Sequence, residues 1–296
     1  MNSGKPLAGT DVGFIGLGLM GRPMALNLLA AGAQVVVHSR SPGPVEELAG
    51  AGAVPAATPA AVAERADAVI TMLPDTPAVQ TVLLGPDGVV EGLKSGGLVI
   101  DMGTTGVMAT RDFAARVEKA GGEYLDAPVS GGTIGAVDGN LVIIAGGSDG
   151  AMERAQAIFA VLGSRATHVG GSGTGQVAKA ANQVIVGLNI GAVAEALTLA
   201  AKAGADPARV REALAGGFAD SRILEVHGKR MVDGDFRPGG KVATQHKDLS
   251  QALELAAELG FDLPATALNR DLYAKLIEAG HGNLDHSALI KVLAED

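Results

Sequence analysis

Short apolar segments alternate with helical patterns along the first part of the chain. Runs of branched apolar residues predict seven strands, at residues 12–15, 34–38, 68–73, 98–102, 124–127, 141–145 and 166–169. A helical pattern over residues 20–31 connects the first predicted strand to the second. Strands that alternate with helices are typical of an α/β domain, in which helices cover both faces of a mostly parallel sheet.

The pattern changes near Gly170, where four glycines within residues 170–175 predict a flexible hinge. From Gln176 onward the chain has helical patterns only, over residues 188–202, 207–215, 247–259 and 265–279. Pro207 and Pro264 stand where helices accept proline, in the first turn. We therefore predict an α/β domain at residues 1–172 and an all-α C-terminal domain at residues 173–296, joined by a long interdomain helix.

A glycine motif follows the first predicted strand. Gly16, Gly18 and Gly21 have the G-x-G-x-x-G spacing between a strand and a helix, and a second strand follows. The first glycine allows a tight turn, the second lets the backbone approach a pyrophosphate, and the third lets the helix pack closely. A glycine turn without a ligand is the structural alternative. The motif predicts a Rossmann-type dinucleotide-binding domain with a cofactor loop of Gly16, Leu17, Gly18, Leu19, Met20 and Gly21.

The residues after the second predicted strand bear on the choice of cofactor. A site for NAD(H) usually has an acidic residue here, whereas this chain has Ser39, Arg40 and Ser41. Arg40 can pair with a 2′-phosphate, and either serine can donate a hydrogen bond to it. NADP(H) is therefore the preferred cofactor. NAD(H) stays open as an alternative, and so does a solvated-loop role for Arg40.

The composition of the chain argues against several classes of protein and of functional site. The 296 residues carry a net charge of −9, and an acidic chain without a basic stripe is a poor nucleic-acid binder. The absence of cysteine excludes disulfides, thiol catalysis and cysteine-ligated zinc. The first ten residues lack the apolar core of a signal peptide, and Asn189 and Glu195 interrupt the most apolar stretch, residues 184–201. We therefore expect a cytoplasmic protein that binds neither nucleic acid nor membrane.

Four ordered motifs resemble those of the β-hydroxyacid dehydrogenase family, which includes 3-hydroxyisobutyrate and 6-phosphogluconate dehydrogenases. They are the glycine motif and residues 126–132 (DAPVSGG), 173–183 (GTGQVAKAANQ) and 246–249 (HKDL), which together span nearly the whole chain. Residues 179–186 and 280–288 are most similar to the tartronate semialdehyde reductases of this family. Those enzymes usually prefer NADH and often have an acid at the position of Ser39, so this departure argues against carrying their NADH preference over to this chain.

The resemblance implies that Lys179 is the catalytic acid/base. Hydride addition to an aldehyde builds negative charge on oxygen, which a nearby ammonium can stabilise and protonate. Asn182 and Gln183 follow Lys179 by three and four residues and so share its helix face. Asn182 is assigned to catalysis and Gln183 to substrate binding. A surface lysine whose stem packs along its helix is the structural alternative.

The resemblance also assigns the other site residues. Ser130, Gly131 and Gly132 imply a clamp for a substrate carboxylate, with a simple β-turn as the alternative. Lys247 implies a role beside both cofactor and substrate, with an exposed lysine as the alternative. Family members are homodimers or homotetramers, so a homo-oligomer is expected. The family positions that line the nicotinamide and its ribose are matched by Leu73, Pro74 and Thr104.

No metal site is predicted. His281 and His286 lie five residues apart around Asp285, and this spacing points them in different directions on a helix, so a surface or interface role is expected.

The reaction that the resemblance implies is the NADP(H)-dependent reduction of a small 3-oxo acid, most specifically tartronate semialdehyde to glycerate. The alternatives are 3-hydroxyisobutyrate oxidation, reduction of another short semialdehyde, and a non-catalytic dinucleotide-binding scaffold. Imine reductases of related fold commonly lack the lysine, so Lys179 argues against that chemistry.

Overall fold

The computed structural model describes residues 4–294. Residues 1–3 and 295–296 lie outside the described residues. They include part of the ten-residue N-terminal segment and the outer ends of both predicted domains. The chain divides into two compact units, Met1–Lys179 and Ala180–Asp296. One helix of 29 residues, Thr174–Lys202, runs through the boundary between them.

The first unit is built on a nine-stranded sheet. Its strands are β1 (Asp11–Ile15), β2 (Gln34–His38), β3 (Val54–Pro55), β4 (Ala68–Thr71), β5 (Leu98–Asp101), β6 (Glu123–Asp126), β7 (Val129–Ser130), β8 (Leu141–Gly146) and β9 (Gly163–Gly170). The order across the sheet is β3-β2-β1-β4-β5-β6-β8-β7, and β9 pairs with β8. The strands from β3 to β6 in this order are all parallel, which confirms the mostly parallel sheet.

Parts of the sheet differ from the sequence prediction. The strands β3 and β7 were not expected, because two residues are too few to give a periodic pattern. β3 forms an edge of the sheet, and both of its residues are exposed. β8 runs antiparallel to β6 and β7. β4 ends at Thr71 rather than Leu73, since the chain leaves the sheet before Pro74, which has no N–H for a strand ladder.

Helices cover both faces of the sheet. They are α1 (Gly21–Ala30), α2 (Pro42–Gly50), α3 (Pro59–Ala63), α4 (Thr76–Leu84), α5 (Val89–Gly92), α6 (Val107–Lys119), α7 (Gly132–Asp138) and α8 (Asp149–Leu162). Neighbouring residues of β1 enter different cores: Phe14 belongs to a cluster with Leu28, and Ile15 belongs to one with Phe113. This alternation is that of a sheet buried on both faces.

The second unit consists of helices and their connecting loops, which confirms the all-α prediction. The elements are the C-terminal part of α9 (Thr174–Lys202), α10 (Pro207–Leu214), α11 (Arg222–Asp233), α12 (Val242–Glu258), α13 (Pro264–Glu278), a 3-10 helix (His286–Leu289) and α14 (Ile290–Ala294). Ile190, Leu249 and Tyr273 lie in its core and are fully buried. α11 lies outside the predicted helices, although Ser221 caps its start by accepting a hydrogen bond from the N–H of Leu224 at 3.0 Å.

The helix α9 is unusually apolar. Its most apolar window has a mean hydropathy of 1.9, and 33% of that window is buried. By length and composition alone α9 qualifies as a helix able to cross a membrane, a test that core helices of other proteins also pass.

Candidate active site

The three motif glycines meet different demands in the structure. Gly16 has a φ of +101°, and a Cβ there would lie 2.4 Å from the carbonyl oxygen of Met72. A Cβ on Gly21 would lie 1.9 Å from the carbonyl oxygen of Gly16. Gly18, in contrast, is exposed and has nothing within 4 Å of a Cβ position. The protein itself therefore requires glycine at 16 and 21, whereas the open space at Gly18 fits a pyrophosphate that approaches from outside.

The start of α1 suits an anion. Its N-cap residue, Met20, makes no side-chain cap hydrogen bond, and the first turn contains no acidic residue. The N–H groups of a first helical turn have no acceptor within the helix, and the helix dipole adds partial positive charge there. The glycine loop and this helix start together form a cradle for a phosphate group.

Loops that follow four neighbouring strands carry the other predicted cofactor residues. β2, β1, β4 and β5 are parallel and lie side by side in this order, so all four end at the same edge of the sheet. The strand order reverses between β1 and β4, and open α/β sheets bind ligands at such a switch point. The loop after β2 carries Ser39, Arg40 and Ser41, that after β4 carries Leu73 and Pro74, and that after β5 carries Thr104.

Arg40 is available for a ligand. Its side chain is exposed, and it forms no ion pair within residues 4–294. Ser41 is the N-cap residue of α2 but its hydroxyl makes no cap hydrogen bond. The segment lies beside the glycine loop, because the N–H of Gly16 donates to the carbonyl oxygen of His38 at 3.1 Å. An exposed guanidinium beside the glycine loop can bind an anionic group of a ligand.

A buried carboxylate at the end of β5 holds the loop that carries Thr104. Asp101 is fully buried and accepts hydrogen bonds from Thr71 Oγ1 at 2.8 Å and from the N–H of Gly103 at 3.1 Å. Burial raises the pKa of Asp101 despite these bonds. Asp101 was not among the predicted site residues, since an acid that ends an apolar strand carries no distinctive sequence signal.

A second buried carboxylate, that of Asp126, holds the start of α9. Its Oδ1 accepts from the N–H of Gly173 at 2.7 Å, and its Oδ2 accepts from the N–H of Gln176 at 2.8 Å. Burial raises the pKa of Asp126 to about 6, although both N–H groups favour the ionised form. The glycine segment predicted to be a flexible hinge is thus hydrogen-bonded to the end of β6.

The side chain of Gln176 links α9 to the loop after β5. Its Nε2 donates to the carbonyl oxygen of Gly103 at 2.9 Å, and its Oε1 accepts from the N–H of Thr105 at 3.2 Å. Gln176 is only 2% exposed. These bonds fix the backbone on both sides of Thr104. Asp126 and Gln176 both stand in the motifs that carry the family resemblance, so their position in the sequence was the available signal.

Lys179 and Ser130 come together in the first unit. Lys179 is 7% exposed, and its Nζ donates to the carbonyl oxygen of Val129, the residue before Ser130 in β7, at 2.8 Å. After Ser130 the backbone turns through Gly131 and Gly132, whose φ angles of +136° and +61° favour glycine. Both glycines are exposed at the start of α7. The buried ammonium of Lys179 therefore contacts the segment that carries the Ser130 hydroxyl and two exposed glycines.

The remaining predicted residues lie in the second unit, around the buried carboxylate of Asp248. Gln183 Nε2 donates to Asp248 Oδ2 at 2.5 Å, and Lys247 Nζ lies 3.0 Å from Asp248 Oδ1. Asn182 Nδ2 donates to Gln183 Oε1 at 2.8 Å. The structure thus joins Asn182, Gln183 and Lys247 through one carboxylate. Asp248 itself was not predicted, although it stands within the quoted HKDL motif.

A histidine cluster in the second unit is organised around Asp285. His227, Asp285 and His286 offer possible metal-ligand atoms within 4.8 Å of one another, and His281 is not among them. His286 Nε2 instead lies 3.3 Å from His227 Nε2. The carboxylate already accepts from the N–H groups of Gly239 and Ser287 at 2.9 and 3.1 Å, and the guanidinium of Arg230 lies 3.3 Å away.

The low pKa of Asp285 has a structural explanation. Burial alone would raise its pKa, but hydrogen bonds from His227 and Ser287 and the charge at His286 hold the pKa of Asp285 well below its usual range. A saturated carboxylate beside an arginine is a poor ligand for a cation. The cluster therefore ties the 3-10 helix to the loop before α12.

Sequence and structure comparisons cover nearly the whole chain. Residues 11–171 match the family described as the NAD binding domain of 6-phosphogluconate dehydrogenase. Residues 173–293 match the family described as NAD-binding of NADP-dependent 3-hydroxyisobutyrate dehydrogenase. The chain is 50% identical to 2-hydroxy-3-oxopropionate reductase of Escherichia coli over 283 residues, which are 95% of this chain and 96% of that protein.

More distant relatives share the same extent. The mitochondrial 3-hydroxyisobutyrate dehydrogenase of Mus musculus is 33% identical over 97% of this chain and 88% of its own length. The structure of Mycobacterium tuberculosis 3-hydroxyisobutyrate dehydrogenase with L-serine superposes with a TM-score of 0.88 at 32% identity, and covers 96% of this chain and 99% of that one. With its glycine loop, switch-point loops and buried lysine, the chain belongs to the 3-hydroxyisobutyrate dehydrogenase-like family of NAD(P)-dependent β-hydroxyacid dehydrogenases.

Proposed function

We propose that the chain catalyses the NADP(H)-dependent reduction of tartronate semialdehyde to glycerate, with Lys179 as the general acid. The observation that carries this proposal is the buried ammonium of Lys179, which is hydrogen-bonded to Val129 beside Ser130. A buried cation in this family motif is a suitable proton donor for a forming alkoxide. The 50% identity to the Escherichia coli 2-hydroxy-3-oxopropionate reductase supports this choice of substrate.

The chain's own residues supply binding and proton transfer. Bound NADPH supplies the hydride. Lys179 holds a proton on Nζ, stabilises the negative charge that develops on the carbonyl oxygen, and then protonates that oxygen. The hydroxyl of Ser130 and the backbone N–H groups of Gly131 and Gly132 bind the substrate carboxylate, which orients the aldehyde. After transfer, Nζ is a neutral amine that takes up a proton from solvent, and the restored ammonium can again donate to the carbonyl oxygen of Val129.

Residues of the second unit contribute polar contacts in this proposal. Asn182 is the catalytic partner that orients the reacting groups, and Gln183 and Lys247 bind the substrate, with Lys247 also beside the cofactor. Asp248 supports this role because it fixes both Gln183 and Lys247. A lysine ammonium suits an anionic substrate and cofactor.

The preference for NADPH rests on the loop after β2. Arg40 is exposed and lies outside any ion pair of the described residues, and Ser39 and Ser41 flank it. A guanidinium between two hydroxyls binds a dianionic phosphate better than it binds a ribose hydroxyl. The description of the family that residues 173–293 match, an NADP-dependent enzyme, supports the same choice.

A substrate panel tests the proposed function. Initial rates are measured for tartronate semialdehyde, methylmalonate semialdehyde, succinate semialdehyde and an uncharged short aldehyde, each with NADPH and with NADH. The highest kcat/KM is expected for tartronate semialdehyde with NADPH. A better rate with the uncharged aldehyde would refute the carboxylate clamp. An absence of turnover with every pair would refute the enzyme and leave a dinucleotide-binding scaffold.

The second candidate is 3-hydroxyisobutyrate oxidation. The similarity to the mouse and Mycobacterium tuberculosis 3-hydroxyisobutyrate dehydrogenases favours it. The two candidates differ in the group on the carbon next to the carboxylate, which is a hydroxyl in tartronate semialdehyde and a methyl in methylmalonate semialdehyde. The ratio of kcat/KM for these two aldehydes decides between them.

A homodimer or homotetramer is part of the proposal. Ile185 and Leu199 on α9 are 62% and 72% exposed, and such large apolar side chains are expected to be covered in an oligomer. Light scattering of the purified protein measures the mass, and a monomer at micromolar concentration would contradict this expectation.

A further inference from the structure

The start of α9 is held by the carboxylate of Asp126. Asp126 is fully buried at the end of β6, and each of its two oxygens accepts one N–H, at 2.7 Å from Gly173, the residue before α9, and at 2.8 Å from Gln176 in its first turn. Hydrogen bonds to a charged acceptor are the stronger kind. Two of them, directed to two oxygens of one rigid group, fix both the position of the helix start and its rotation about its axis.

Close packing makes this attachment rigid. A Cβ on Gly175 would lie 2.5 Å from the carbonyl oxygen of Asp126 and 2.6 Å from that of Ile144. A Cβ on Gly146 would lie 2.7 Å from the backbone nitrogen of Gly175. The backbone of α9 therefore touches the backbones of β6 and β8 directly. Since no side chain separates them, the helix start is held closely against both strands.

Lys179 follows one turn later in the same helix. It is three residues beyond Gln176, so its Cα lies about 4.5 Å further along the helix axis. The hydrogen-bonded backbone between them is continuous helix, which transmits a displacement of the first turn to Lys179. The side chain of Gln176 meanwhile fixes Gly103 and Thr105, which flank the predicted cofactor residue Thr104.

We propose that Asp126 is a positioning residue that sets the location of Lys179 Nζ by capping α9, and that Gln176 holds the loop of Thr104 in the same frame. The inference rests on the proposed function in one respect, the role of Lys179 as general acid. Its consequence is that the capping carboxylate contributes to turnover although it touches neither substrate nor cofactor. A displacement of the proton donor by about 1 Å can lower the rate by up to about 100-fold.

The test compares Asp126→Asn with a matched cap variant. The amide keeps one acceptor and turns its other end, an NH₂ group, towards an N–H, so the helix start must shift. Asp206→Asn is the control, because Asp206 also caps a helix, accepting from the N–H of Ala208 at 2.9 Å, and lies far along the chain from the motif segments. Both variants are purified as the full chain.

The measurements are kcat with tartronate semialdehyde, the Kd for NADPH, and hydrogen exchange of the peptide that covers residues 171–180. Asp126→Asn should lower kcat at least about 10-fold, leave the Kd within about 3-fold, and speed up exchange of the peptide. Asp206→Asn should leave all three quantities as in the parent. If kcat stays at the parent value, or if the Kd weakens as much as kcat falls, the positioning role is refuted.

A double variant shows whether Asp126 acts through Lys179. Asp126→Asn in the Lys179→Met background should cause no further loss of kcat, since the group that it positions is gone. A further loss of the same size as in the parent would overturn the inference. If Asp126→Asn does not fold, Gln176→Met serves instead. This variant keeps the backbone cap of α9 and breaks the side-chain link to Gly103 and Thr105, so it should lower kcat. An unchanged kcat would overturn the proposed role of Gln176.

The two proposals fail in different ways. A parent protein that turns over none of the semialdehydes refutes the proposed function. The exchange measurement does not depend on turnover, and unchanged exchange in Asp126→Asn refutes the cap as the anchor of α9.

Discussion

Replacing Lys179 with methionine tests the proposed mechanism most directly. Methionine has nearly the length of lysine and fills the same buried space without an ammonium. The variant loses the hydrogen bond from Nζ to the carbonyl oxygen of Val129 at 2.8 Å. It also removes the free-energy cost of burying a charged side chain, since Lys179 is only 7% exposed. These two effects oppose each other, so we expect a change of no more than about 1 kcal/mol in the free energy of unfolding.

The effect on catalysis should be much larger. Loss of a positioned general acid lowers the rate by about 100-fold or more, which corresponds to about 2.7 kcal/mol in the activation free energy. The change in Tm should stay below about 4 °C, because a protein of this size shifts by about 2–4 °C for each kcal/mol. Activity and stability are therefore expected to separate clearly in this one variant.

The assay follows oxidation of NADPH at saturating tartronate semialdehyde, with NADPH binding measured in parallel. Lys202→Met is the matched control, since Lys202 is an exposed lysine at the other end of the same helix. Lys179→Arg should not restore activity, because a guanidinium does not release its proton. If Lys179→Met retains kcat within about 5-fold of the parent while it binds NADPH, the general acid is another group, and Lys247 is the next candidate.

Three further predictions concern the cofactor, the substrate and pH. Arg40→Ala should raise the KM for NADPH by about 10-fold and leave that for NADH unchanged; equal effects on both would refute a 2′-phosphate contact. Ser130→Ala should raise the KM for the acid substrate more than the Kd for NADPH, and the reverse ranking would contradict the carboxylate clamp. Burial raises the pKa of Asp126 to about 6. The folded protein therefore keeps a proton that the unfolded chain releases, and stability should fall by up to about 3 kcal/mol as the pH rises from about 4 to 6. Urea unfolding of Asp126→Asn should lack this part of the slope, and an unchanged slope would contradict the assignment to Asp126.

The fold was predictable where apolar residues form distinct runs or recur at helical spacing. Strands buried on both faces, such as β1 and β5, are short apolar runs, and these runs were found from the sequence. The antiparallel direction of β8 was not predictable, because direction depends on the path of the chain between strands and not on the residues within them.

The candidate site was predictable in part. Gly16, Gly18 and Gly21 have a spacing that is itself the signal: a side chain at position 16 or 21 would clash with the local backbone, whereas Gly18 leaves open space for a ligand. The bond from Lys179 to Val129 joins residues 50 positions apart, and no local pattern encodes such a contact. The same holds for Asp126 with the start of α9 and for Gln183 with Asp248, which tertiary packing alone brings together.

The edge strand β3 has a consequence for the behaviour of partly unfolded protein. It contains two residues, and one of them, Pro55, has no N–H to offer to a further strand. The N–H of Ala56 donates to Val37 of β2 at 2.9 Å, so by strand alternation Val54 also faces β2 and Pro55 takes the outward position. An incoming chain therefore finds no N–H donor within β3, on the side of the sheet where the strongly apolar β2 would otherwise be open to pairing. Short edge strands and prolines are a means by which proteins prevent edge-to-edge association. Replacing Pro55 with valine would add an N–H donor to the edge of the sheet. Aggregation during refolding should then increase, while the folded enzyme would be nearly unaffected.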